Sequence, residues 1–233
     1  MRMLRRRAGS TTTALAVKHI IAICTITLLG RQCGFSQSFV NLDFESANIA
    51  PGTPINSGVS TTDALPGWAV TAQVGYDFLS GGGAIISIVD TNLGGEFAPL
   101  QGQYSAMLFG GEGGATTLSQ TGTVPIGTKS LQVDLTGRDV SLLIVSMGGQ
   151  TIQLSPLATF SNYTQYGGDI SSFAGQMTTL GFTEQPPAGV PPSVLELDDI
   201  QFSVSPVPEP RTLALFATGA FLLALRRRRN PMP

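Results

Sequence analysis

Residues 130–154 read SLQVDLTGRDVSLLIVSMGGQTIQL. Leu131, Val133 and Leu135 alternate with Gln132 and Asp134, the period-two spacing of a strand with one buried face. A second apolar run, Val140 to Met147, ends at Gly148-Gly149, and a third runs from Thr151 to Leu154. Glycine pairs supply the backbone freedom that a turn between strands needs.

The same alternation extends to both sides. Strands are predicted at Phe39 to Phe44, Trp68 to Val74, Ala84 to Val89, Tyr104 to Phe109 and Thr116 to Thr123 upstream, and at Met177 to Phe182 and Leu195 to Val204 downstream. Gly81-Gly82-Gly83, Gly94-Gly95, Gly110-Gly111, Gly113-Gly114 and Pro186-Pro187 punctuate them, and only Ile170 to Gly175 hints at a helical turn. The chain has 233 residues, with Gly 28, Pro 15 and 12% charged residues, which suits short strands and turns better than a helical bundle. The expected fold is all-β, an antiparallel β-sandwich of the jelly-roll kind, over residues 37–205. Within the last strand, Leu195 and Leu197 share one parity while Ile200, Phe202 and Val204 share the other, so a bulge is expected at Asp198-Asp199.

Charge is segregated. The net charge of -2 averages two arginine-rich ends with an acidic middle: residues 37–210 hold all 15 acidic residues but only Lys129 and Arg138, a formal charge of −13. Such a body repels phosphate backbones, so nucleic acid is excluded as a partner. The only histidine and both cysteines, His19, Cys24 and Cys33, precede the predicted domain. That domain can therefore build no disulfide, no Cys/His zinc site and no histidine-based triad. No catalytic residue is nominated; paired carboxylates remain the one enzymatic route, that of a glycoside hydrolase or lyase.

Arg2, Arg5, Arg6 and Arg7 precede the apolar run Ile20 to Gly30. This is the order of a signal peptide over residues 1–36, handed to Sec-type export machinery and cut by signal peptidase before Gln37. At the other end Val207, Pro208, Glu209 and Pro210 precede an apolar stretch at 212–225 and the basic stop Arg226, Arg227, Arg228 and Arg229. The prolines keep their strip extended, the apolar stretch partitions into the inner membrane and the arginines stay cytoplasmic. Fourteen helical residues reach only ~21 Å of a ~30 Å hydrocarbon core, which fits a transient anchor.

This three-part tail, residues 206–233, resembles the PEP-CTERM sorting signal. The resemblance implies recognition of Val207 to Pro210 by an exosortase, a membrane protease of bacteria that make exopolysaccharide. It also implies a passage from a periplasmic, membrane-anchored form to the cell surface or the extracellular matrix. The segments NLDFES (41–46), LPGW (65–68), ISSFAGQ (170–176) and LELDDIQFS (195–203) resemble jelly-roll modules similar to galactose- and carbohydrate-binding domains. In such modules the first and last strands lie together and hold a structural calcium, which implies Asp43 or Glu45 meeting Asp198 or Asp199 here. A hard cation would also relieve the acidic charge. Trp68 is either a core aromatic or a ligand-binding platform for a sugar ring. The function expected is a non-catalytic structural or adhesive role, with carbohydrate binding to exopolysaccharide as the alternative.

Overall fold

The computed structural model describes residues 37–77, 83–91, 98–110, 114–137, 139–185 and 194–207. The signal segment, Pro208 to Pro210, the apolar stretch and the four arginines lie outside them. Thirteen strands form two sheets. In chain order they are β1 (Ser57–Gly58), β2 (Ala69–Val70), β3 (Gln73–Tyr76), β4 (Ile85–Asp90), β5 (Tyr104–Phe109), β6 (Thr116–Thr123) and β7 (Ser130–Gly137), then β8 (Leu143–Met147), β9 (Gln150–Ile152), β10 (Ser155–Thr159), β11 (Thr164–Asp169), β12 (Met177–Glu184) and β13 (Val194–Ser203). One sheet runs β1-β3-β4-β5-β13-β7-β11-β10, the other β2-β6-β12-β8-β9.

The two sheets face each other across one apolar layer. Ile86, Ile88, Ala106, Leu108, Val133, Leu135 and Leu197 come from the larger sheet, and Leu118, Val145, Met147, Leu180 and Phe182 from the smaller. This is the expected β-sandwich, and among the described residues helix is confined to one short helix, α1 (Thr61–Ala64), and two single turns of 3-10 helix. The second of these, Ser171–Phe173, is the helical turn read from ISSFAG. Pairing is not antiparallel throughout, because β3 runs parallel to β4.

Two predicted strands are corrected. Phe39 to Phe44 is not a strand: Asn41 and Phe44 sit at φ 51 and 57, the left-handed region that a strand cannot contain. Its backbone is satisfied by other means. The Gln120 side chain accepts from Val40 N at 2.7 Å and donates to Val40 O at 3.0 Å. The Trp68 indole donates to Asn41 O at 2.8 Å, and Ile200 N donates to Leu42 O at 3.0 Å. The opening segment therefore does lie beside the closing strand, held by single bonds rather than by a ladder. Trp68 to Val74 divides into β2 and β3, which belong to different sheets.

The expected bulge is present. β13 pairs with β7 in register from Leu195↔Gly137 to Asp198↔Asp134, shifts, and resumes at Gln201↔Gln132, with Asp199 at φ 44.

Candidate functional site

Leu197 is a core residue, so Glu196 and Asp198, its neighbours on β13, point to the opposite face of the eight-stranded sheet. Register brings further polar residues to that face. Asp198 stands opposite Asp134 on β7, Asp134 opposite Gln165 on β11, and Glu196 opposite Met107 on β5. The residues of this row are not solvated: Glu196 is 4% exposed, Asp198 1% and Asp134 0%.

The cover is the segment that leads into β5. Gln101 N donates to Asp198 Oδ2 at 3.1 Å, and Gln101 Nε2 to Asp134 Oδ2 at 2.5 Å. The Ser105 hydroxyl accepts from Leu100 N at 2.7 Å and donates to Asp198 Oδ2 at 3.2 Å. The Ser105 hydroxyl has one hydrogen, which Asp198 and Glu196 must share. Oε1 of Glu196 and Oδ1 of Asp134 have no hydrogen-bond partner. Burial without enough donors favours the neutral acid. It pushes Glu196 up to about 8, with the nearby Asp198 adding to the rise and the Ser105 hydroxyl opposing it. Asp198 is pushed up to about 7, again by burial, although the N–H groups of Asp199 and Gln101 and the Ser105 hydroxyl pull it back. Asp134 is raised by the same cause, against a lowering by Gln101.

The expected calcium ligands do not converge. Glu45 is spent on a different task, its Oε1 accepting from Gln103 N at 2.7 Å and Tyr104 N at 3.0 Å. Asp43 is exposed and accepts from Glu45 N at 3.4 Å. Asp198 Oδ1 accepts from Asp199 N at 2.7 Å, and Asp199 Oδ2 accepts from Gln201 Nε2. Among the described residues no group of three or more Asp, Glu, His or Cys side chains could hold a metal ion. The loop 101–104 draws Glu45 and Asp198 to its own amides, so the residues present do not fit the cation implied by the resemblance.

Trp68 is a core aromatic. It is buried, with its ring 5.7 Å from that of Phe44 and 6.3 Å from that of Phe182, and it offers no face to a sugar. A partly exposed aromatic pair lies elsewhere, at the tip of the β10–β11 hairpin. Phe160 and Tyr163 lie 4.6 Å apart at 30°, closed by Phe160 N donating to Tyr163 O at 2.9 Å. Phe160 is half exposed, and Tyr163 is near enough to Asp134 to bias its charge. Asn162 Nδ2 donates to Leu100 O at 3.0 Å, which ties the hairpin tip to the cover over the acids. The sequence reading missed this hairpin because Pro156 and Gly167-Gly168 break its alternation; Ser161-Asn162 between two aromatic-bearing runs was the available turn signal.

A carboxyl that is protonated beside one that ionises more readily is the equipment of a carboxylate glycosidase. Here the burial of Glu196 and Asp198 keeps both from any substrate, and they act as part of the sheet.

The fold and tail together define a class: an exported β-sandwich protein that ends in a sorting signal. The PEP-CTERM protein-sorting motif matches residues 206–229, which implies export with a membrane-anchored tail. No curated protein matches this chain. Among the solved structures that resemble it distantly are two. One is TmCBM61 in complex with β-1,4-galactotriose, 13% identical, covering 70% of this chain and 95% of its own, with a TM-score of 0.36. The other is the K2 cleaved adhesin domain of Lys-gingipain, 11% identical, covering 72% and 97%, with a TM-score of 0.36.

Proposed function

We propose that this is a surface or matrix protein, processed by an exosortase, whose sandwich has a structural or adhesive and non-catalytic role. The observation that carries the reading is the sorting motif at 206–229, which begins just past the end of β13 at Ser203. In this reading the domain is exported by the Sec-type route and loses residues 1–36. It stands in the periplasm while the tail holds it to the inner membrane, and it is then released to the surface. The mass of the protein recovered from outside its native host tests this. Loss of Arg226 to Arg229, dependent on the exosortase, is expected; an extracellular chain that keeps them overturns it.

One observation favours carbohydrate binding as a second reading. The Phe160–Tyr163 pair offers an apolar ring face beside the amides of Asn162 and Gln101, the combination that saccharides require. The ligand in this reading is the exopolysaccharide of the producing cell. Phe160→Ala, at an exposed position, is expected to abolish retention on that polysaccharide without lowering the melting temperature. Equal retention of both proteins rejects the hairpin as the site.

A further inference from the structure

The three most exposed large apolar side chains among the described residues gather at the end of the sandwich where β13 finishes. Ile126 is 91% exposed, Val204 69% and Met177 57%, and all three lie at this end. They belong to separate segments that hydrogen bonds join into one platform. Val124 N donates to Gln176 O at 2.9 Å, Gly175 N to Val124 O at 2.9 Å, and Lys129 N to Ser203 O at 2.8 Å. Behind them is a hollow lined by Phe39, Leu42, Val124, Ile126 and Phe202. Lys129, the only basic residue among those described, is exposed on the same turn as Ile126. The acid at this end, Asp169, is taken up by Ser171 N at 2.8 Å. The buried acids and the Phe160–Tyr163 hairpin belong to the middle and the far half of the sheet.

Both ends of the described domain arrive here. Thr123 N donates to Gln37 O at 2.7 Å, so the junction with the signal segment is at this end, and Ser130 Oγ donates to Ser205 O at 2.7 Å. Val207 lies against Gly167. From Val207 to Thr212, where the apolar stretch begins, there are five Cα steps, at most ~18 Å fully extended. A tether this short holds the platform against whatever surface the stretch enters, at a high effective concentration.

We propose that the platform formed by Ile126, Lys129, Met177 and Val204 rests in the lipid–water interface of the membrane that holds the chain's own tail. The proposal rests on the reading that residues 212–225 embed in that membrane. Protruding aliphatic side chains partition into the interface, and a lysine among them keeps its ammonium at the phosphate level. The domain is therefore oriented before processing, with the Phe160–Tyr163 hairpin at the opposite end of the eight-stranded sheet directed away from the bilayer.

The test uses the unprocessed full chain with Cys24→Ser and Cys33→Ser, carrying a polarity-sensitive fluorophore at Ile126→Cys or at Ser161→Cys. It is reconstituted in vesicles of phosphatidylethanolamine and phosphatidylglycerol. The expected result is a blue-shifted emission at position 126 that nitroxide-labelled lipids quench, with water-like, unquenched emission at 161. If the chain stays with the vesicles but position 126 reads as water, the docking is overturned and the anchor stands. If the chain does not stay with the vesicles, both fall. An emission shift at 126 that follows protein density rather than lipid overturns the proposal in favour of a second copy of the chain.

Discussion

The two sheets use the same core but solve their outer faces in opposite ways. In the five-stranded sheet, β6 alternates strictly: Leu118 and Gln120 are covered, while Thr117, Ser119 and Thr121 face outward. The outward row is a threonine ladder, with Thr117 and Thr183 hydroxyls 2.9 Å apart and those of Thr121 and Thr179 2.7 Å apart. In the eight-stranded sheet β4 is buried along its whole length, and β13 is buried from Leu195 to Asp198. One sheet keeps a wet face and satisfies its polar groups with water and neighbours. The other covers its second face along β4 and β13 and traps carboxyls there, so that its stability becomes coupled to proton concentration.

Substitution at adjacent residues of β12 should expose the first arrangement most sharply. Phe182→Ala removes a fully buried ring that packs on Trp68, and is expected to cost about 3–5 kcal/mol in a urea melt. The second arrangement should appear as an alkaline weakness. Glu196 and Asp198 hold protons in the folded chain up to about 8 and about 7, whereas the unfolded chain releases them near the ordinary carboxylate values. The folded state thus binds more protons across that interval, so stability is greatest below it and falls as pH rises, levelling off above about pH 8. The expected loss between pH 5 and pH 9 is on the order of a few kcal/mol. Glu196→Gln, neutral at every pH, should flatten the decline. A melting temperature that rises from pH 5 to pH 9 would remove the claim that these acids are held neutral by burial.

The contrast also explains what could be read before the structure. Alternation marks a strand with one wet face, so β6, β7 and β12 were legible, and so was the register break in LELDDIQFS. The sorting motif at 206–229 was legible because its order of prolines, apolar run and arginines needs no packing to be read. Alternation does not say which sheet a strand joins, so the division of Trp68 to Val74 between two sheets was hidden. NLDFES has strand-like composition, yet groups far away, the Trp68 indole and the Ile200 N–H, bond its carbonyls one at a time, and Asn41 and Phe44 turn left-handed. The buried acids were visible as residues and invisible as a site, because their cover comes from Leu100 and Gln101, about 100 positions from β13. The calcium expectation did not anticipate that backbone amides would bond Glu45 and Asp198.

Smaller effects should separate the bulge from the ladder. Asp199 sits at φ 44, and a β-branched residue there must enter the left-handed region, so Asp199→Val is expected to cost roughly 1–3 kcal/mol while Asp199→Gly costs less. Equal costs would mean that the carboxylate, not the backbone, holds the bulge. Smallest of all is Thr183→Ala, the chain neighbour of Phe182. Its hydroxyl meets that of Thr117 on the wet face, and cross-strand pairs of this kind contribute about 0.2–1 kcal/mol. Water replaces the lost partner at a half-exposed site but cannot do so in a covered one, so the same deletion at Ser105→Ala should cost more than at Thr183 and should rise with pH as Asp198 ionises. Thermal melts of the two variants at pH 6 and pH 9 therefore test the comparison directly: a parallel response in both would mean that the covered face is as wet as the open one.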